Sequence, residues 1–191
     1  YGIHLVDGKL QVNLVKRWLD DAIRVETQTV LSPGDWQHVL VTYDGSRVAT
    51  GVRVYVNGEP QPMRVLLDDL NQSFQTKQPL RIGGGAGPAG RFHGRLDEVR
   101  IYNAALPAEQ AEVLATAETV TAIAGIPPDE RTAGQSRKIR EYYLEHHATA
   151  EARQARRRVA ELQVERKRLV ESFPTVMVME EMPTPRETHV L

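Results

Sequence analysis

Three turn dipeptides constrain this chain more than any other feature. Asp7-Gly8, Asp44-Gly45 and Asn57-Gly58 each close a run of alternating apolar and polar residues. A tight turn between antiparallel strands needs positive φ at its centre, which Asp, Asn and Gly accept most readily. The runs so punctuated read as strands: Tyr1 to Val6, Leu10 to Leu14, Ala22 to Gln28, Trp36 to Tyr43, Val52 to Val56, Pro79 to Ile82 and Phe92 to Tyr102. Short strands at this spacing point to a two-layer antiparallel sandwich rather than a βαβ fold. In that frame Trp36 opens a strand and anchors the core, while Val39, Val41 and Tyr43 alternate with their neighbours.

After Asn103 the texture becomes helical. Leu106-Pro107-Ala108 starts a short helix, with Pro at the position where a missing N–H costs nothing. Gly125-Ile126-Pro127-Pro128 breaks the chain, and Ser136 to Glu171 is charged and helical, divided near His147-Ala148-Thr149 into a pair expected to pack as a hairpin or on another partner. Val159, Leu162 and Leu169, with Arg166 between, trace most of a heptad seam. Pro174 ends this stretch, and Val176 to Met179 reads as the opening strand of a further domain. The expected organisation is therefore a two-layer β domain over 1–117, a linker and helical segment over 118–172, and a truncated strand within 173–191. Tyr1-Gly2-Ile3-His4 reads as a cut inside a longer chain.

Composition narrows the function. The 191 residues carry 24 Lys and Arg against 25 Asp and Glu, so there is no net basic surface of the kind a general nucleic-acid or anionic-membrane binder needs. Zero cysteines exclude disulfides, thiolate catalysis and Cys-x-x-Cys-His haem attachment within these residues. No apolar run approaches the roughly 18 residues of a membrane span. The basic cluster Arg153, Arg156, Arg157, Arg158, Arg166, Lys167 and Arg168 alternates with Glu151, Glu161, Glu165 and Glu171 at helical spacing, which makes it a solvated face with intrahelical ion pairs.

Two signatures in the β half permit a family comparison. Asp35-Trp36-Gln37-His38-Val39-Leu40-Val41-Thr42-Tyr43-Asp44-Gly45 followed by Val54-Tyr55-Val56-Asn57-Gly58 resembles the central signature of laminin G-like jelly-roll domains. These domains belong to the concanavalin A-like lectin/glucanase superfamily. Leu80 to Gly84, then Phe92 to Asn103, then Ala105-Leu106 resemble the closing signature, in the expected order. The segment from Phe173 to Leu191 is similar to the start of a C-terminal domain of unknown function in planctomycete cytochrome c domain-containing proteins. That resemblance implies a larger exported, periplasmic or cell-surface parent, with haem only in a region outside these residues. The laminin G-like resemblance implies a non-catalytic recognition module for polysaccharide or a protein surface, beside flanking domains of the parent. A spacer with no soluble ligand, or a targeting module of an enzyme or electron-transfer parent, is the alternative.

The candidate sites follow from residue chemistry. Trp18 lies among charges in Lys16-Arg17-Trp18-Leu19-Asp20-Asp21, which offers an aromatic for stacking on a sugar and Arg17, Asp20 and Asp21 as hydroxyl partners. The competing reading is a tryptophan folded back to cap the core. The resemblance implies rim calcium held by carboxylates and carbonyls. Asp68, Asp69 and Asn71 are the candidate ligands among rim acids that include Asp44, and solvated loop acids are the simpler reading. Glucanase chemistry needs two carboxylates about 5–5.5 Å apart for retention, or wider for inversion. Asp97-Glu98 are adjacent on an expected strand and so point to opposite faces; Asp68-Asp69, in an expected loop, share the difficulty. Gly85 to Gly90 spells G-x-G-x-x-G but precedes a strand rather than a helix, which removes the dinucleotide reading. His146-His147 lack the i,i+4 spacing of a metal pair, Met177, Met179 and Met182 read as packing residues, and Asn71-Gln72-Ser73 matches a glycosylation sequon.

Overall fold

The computed structural model describes residues 1–72, 79–84 and 91–173. The Gly85–Gly90 motif, Ser73 of the sequon, Pro174, the Val176–Met179 strand and its methionines lie outside the described residues. The chain divides into two compact units, Tyr1–Tyr142 and Tyr143–Leu191.

The first unit is built on two antiparallel sheets. One has the order β1 (Gly2–Val6), β2 (Lys9–Arg17), β3 (Asp21–Thr27) and β7 (Met63–Asp69). The other holds β4 (Val39–Tyr43), β5 (Val52–Val56) and the short β6 (Glu59–Pro60). Asp7 and Gly8 have φ of 50° and 76°, and Asn57 and Gly58 have 52° and 86°, so two of the three dipeptides make the expected hairpin turns. Asp44-Gly45 instead opens a longer connection in which the Asp44 carboxylate accepts the Ser46 N–H at 2.9 Å. That connection ends in a 3-10 turn at Ala49–Gly51, and a Cβ at Gly51 would collide with the Asp44 carboxylate and the Ser46 hydroxyl.

Alternation along the strands selects the core. Leu10, Val12, Leu14, Ile23 and Val25 from one sheet meet Val52 and Val54 from the other, joined by Ala49 and Leu70. Each fully buried aliphatic side chain contributes about 1.5–3 kcal/mol relative to exposure, so this cluster is the main stabilising element of the sandwich. The opposite face of β5 is covered too. Tyr55 and Leu40 pack against Ala111 of α1 (Ala108–Ala115), with Leu106 and Ala108 beside them. The Asn57-Gly58 turn fits close under that helix, because a Cβ at Gly58 would stand 3.0 Å from the Glu112 Cα.

The remaining helices are α2 (Val120–Ala124), α3 (Ala133–His146) and α4 (Ala150–Ser172), so the break near His147–Thr149 falls where expected. Thr119 and Thr149 cap α2 and α4, accepting from Ala122 and Ala152 N–H at 3.2 and 3.3 Å. The start of α3 is fastened to the end of α1 by polar contacts. Lys138 Nζ donates to the Thr116 carbonyl at 2.6 Å, Arg137 pairs with Glu112 at 2.7 Å, and Gln135 donates to Glu118 at 2.8 Å.

Three expectations need correction. Met63–Asp69 is a strand, not a loop. Arg24 pairs with Leu67 but Val25 with Val65, which leaves Leu66 as an extra residue and hides the alternation. Residues 79–82 and 92–102 are not strands. Glu98 has φ of 53° and donates its N–H to the Asp97 carboxylate at 2.8 Å, a local bond that replaces a ladder bond and turns the chain. Trp36 is 64% exposed and lies ahead of β4. The β4–β5 pairing runs out where His38 and Asn57 exchange bonds before the Asn57-Gly58 reversal, which leaves Trp36 without a neighbouring strand among the described residues.

Candidate functional site at the rim of the four-stranded sheet

The end of β2, the turn that follows it, the start of β3 and the end of β7 lie together by strand register. Arg17 pairs with Asp21, and Ala22 pairs with Asp69. The two sets of candidate residues, one around Trp18 and the other around Asp69, therefore share one end of one sheet. The bulge between Val15 and Arg17 bends β2 there and turns Trp18 outward.

Trp18 is 50% exposed, and the guanidinium carbon of Arg24 stands 4.0 Å from its ring centroid. The cation–π contact holds the indole against β3. Beside it, Arg17 Nε pairs with Asp20 at 3.1 Å, with both side chains 61% exposed. An exposed pair of this kind contributes under about 1 kcal/mol and gives way easily to a ligand.

Asp21 differs from Asp20 in every respect that matters. It is 1% exposed, and its Oδ1 accepts the backbone N–H groups of Asn71 at 2.8 Å and Gln72 at 3.2 Å. Among the described residues its Oδ2 has no hydrogen-bond partner. Asn71 in turn donates its side-chain amide to Asp69 Oδ1 at 2.6 Å and accepts from Arg47 at its carbonyl. Asp68 points the other way, as alternation requires, and accepts the Ala49 N–H at 2.8 Å, tying β7 to the 3-10 turn before β5. Asp21, Asp69 and Asn71 are thus brought together, and Asp68 is placed apart. Among the described residues no group of three or more His, Asp or Glu side chains is arranged to hold a metal ion.

Elsewhere, Asp97 is engaged by the Glu98 amide and Glu98 by Arg100. Burial lowers the pKa of His38 below its ordinary value, and the charge of Arg100 lowers it further. His147 stacks on Tyr143, with ring centroids 6.4 Å apart.

Two residues of this region are absent from the sequence-based candidates: Arg24, and Asn13 directly across from it on β2. Asn13 is 3% exposed; its amide donates to Gln11 at 3.3 Å while its Oδ1 has no partner among the described residues. The signal available was that both occupy outward positions on predicted strands, where a polar residue ordinarily means nothing more than solvent.

The family model of the concanavalin A-like lectin/glucanases superfamily matches residues 1–112, and the chain belongs to that family. No curated protein matches. Among solved structures, an S-layer domain-containing protein from Clostridium thermocellum (residues 221–444) is similar with 23% identity and a TM-score of 0.37. The match covers 58% of this chain and 52% of that one.

Proposed function

We propose that this chain is a non-catalytic recognition module that binds carbohydrate at the rim of its four-stranded sheet, as part of a larger exported protein. The observation that carries this reading is Trp18: half exposed, backed by Arg24, and flanked by the loosely held Arg17–Asp20 pair. A flat apolar ring beside displaceable hydrogen-bonding groups is what a sugar requires, since its ring faces stack while its hydroxyls need partners. Asp21 belongs to the support of that surface. The test is retention on a panel of immobilised polysaccharides, by wild type and by Trp18→Ala. Retention lost in the variant supports the reading; equal retention removes Trp18 as the platform; no retention of the wild type on any polysaccharide favours a spacer or a protein-binding surface.

A second reading, rim calcium, is favoured by one specific observation, the unpartnered Oδ2 of buried Asp21 close in register to Asp69 and Asn71. Oxygen ligands of this kind suit Ca²⁺, with Asp68 the outlier of the expected set. A melting temperature raised by millimolar Ca²⁺ and returned by chelator supports it, because a ligand of the folded state alone stabilises that state. An unchanged melting temperature argues against it.

A further inference from the structure

We infer that the outward face of the four-stranded sheet beside Trp18 holds a carboxylate-bearing sugar residue, with Arg24 taking the carboxylate and Asn13 a neighbouring hydroxyl. The inference rests on the carbohydrate reading above and names its ligand class.

The argument starts from charge. The acids at this end of the sheet are already engaged: Asp20 by Arg17, Asp21 by two backbone amides, and Asp69 by Asn71; farther along β3, Glu26 is paired with Lys9 at 3.9 Å and Arg64 at 3.4 Å. Arg24 is partly buried and, among the described residues, has no carboxylate within ion-pair reach and no hydrogen-bond partner for its Nε. The Trp18 ring engages the face of this cation but supplies no neutralising charge, and the planar fork of a guanidinium matches a carboxylate well. Trp18 covers the face of that fork, whose N–H donors lie along its edge.

Asn13 decides the rest of the ligand. Its Oδ1 is a buried acceptor without a donor among the described residues, next to Arg24 across the β2–β3 ladder. A bare inorganic anion would be repelled by that oxygen, whereas a hydroxyl donates to it. Across β1, Asn13 faces Gly2, over which the His4 ring is folded. One unpaired donor group for an anion, one unpaired acceptor for a hydroxyl and one aromatic ring together describe a uronic acid residue, rather than a neutral sugar or a simple anion.

The experiment titrates the intact chain with soluble polygalacturonate, an uncharged glucan and a sulfated glucan, alongside Arg24→Gln and Trp36→Phe. Trp18 is one of two tryptophans, so the Trp36→Phe chain reports on Trp18 fluorescence alone. Saturable binding of polygalacturonate that weakens with added salt, and falls at least tenfold in an Arg24→Gln chain that melts like the wild type, supports the inference. Equal binding by Arg24→Gln, or binding of the uncharged or sulfated glucan without polygalacturonate, overturns it and leaves the carbohydrate reading standing. Binding of no polysaccharide overturns both. Should Arg24→Gln fail to fold, the fluorescence titration decides: a saturable, salt-reversible change on adding polygalacturonate supports the inference, and no change overturns it.

Discussion

Asp21 grips Asn71 across fifty positions of sequence, its buried Oδ1 accepting the Asn71 amide at 2.8 Å and the Gln72 amide at 3.2 Å. This clamp fixes where the chain leaves β7, and so it fixes the rim. Asp21→Ala strands two amides and leaves a cavity. The expected loss is about 2–3 kcal/mol, since bonds to a charged acceptor are each among the stronger ones. Urea unfolding of both chains measures it, and a change under about 0.5 kcal/mol, typical of surface substitutions, would contradict the clamp.

Gly45 and Gly58 make a controlled pair. Both have φ of 86°, but a Cβ at Gly45 meets nothing within 4 Å, while at Gly58 it stands 3.0 Å from the Glu112 Cα of α1. Gly45→Ala should cost about 1–2 kcal/mol from the left-handed backbone alone. Gly58→Ala should cost about 1–3 kcal/mol more, from the overpacking against α1. Equal losses in thermal melts would show that α1 does not press on the turn.

The pH dependence of stability should carry a signature of His38. Its folded pKa lies below the ordinary 6.5, so the unfolded chain binds the proton first as pH falls. Stability is unaffected by this residue above 6.5, declines as pH drops through the window beneath it, and levels off once the folded form also protonates. His38→Gln should flatten that decline in chemical unfolding compared at about pH 7.5 and pH 5. A slope unchanged in the variant would assign the decline to other groups.

The two aromatic positions Trp36 and Tyr55 should respond in opposite ways to truncation. Trp36 is 64% exposed and Tyr55 is 2% exposed, packed with Leu40 and Ala111. Trp36→Ala should shift stability by no more than about 0.5 kcal/mol and Tyr55→Ala by about 3–5 kcal/mol. A large loss at Trp36 would mean that it is covered in solution.

What could be read from the sequence was what depends on near neighbours. The hairpin turns at Asp7-Gly8 and Asn57-Gly58 were legible because positive φ demands particular residue types on the spot. The helix break at His147–Thr149 was legible for the same reason: Thr149 is a local cap. Strand β7 was not, because its extra residue at Leu66 makes Val65-Leu66-Leu67 read as a block rather than an alternation. Nor could the sequence separate Asp20 from Asp21. One stays in solvent and the other is buried, and the difference lies in the Asn71 and Gln72 amides, which only the folded chain brings to Asp21. Arg24 and Asn13 escaped notice likewise, since their significance lies in which neighbours they lack.

The seam between α1 and α3 is sewn with an ammonium, a guanidinium and an amide rather than with aliphatic side chains. Such stitches weaken in brine, whereas a greasy interior tightens there. Salt should consequently loosen the start of α3 from α1 while α1 itself stays on the sheet through Tyr55, Leu40 and Ala111, so the α3 end of the first unit should melt ahead of its β layers at high ionic strength.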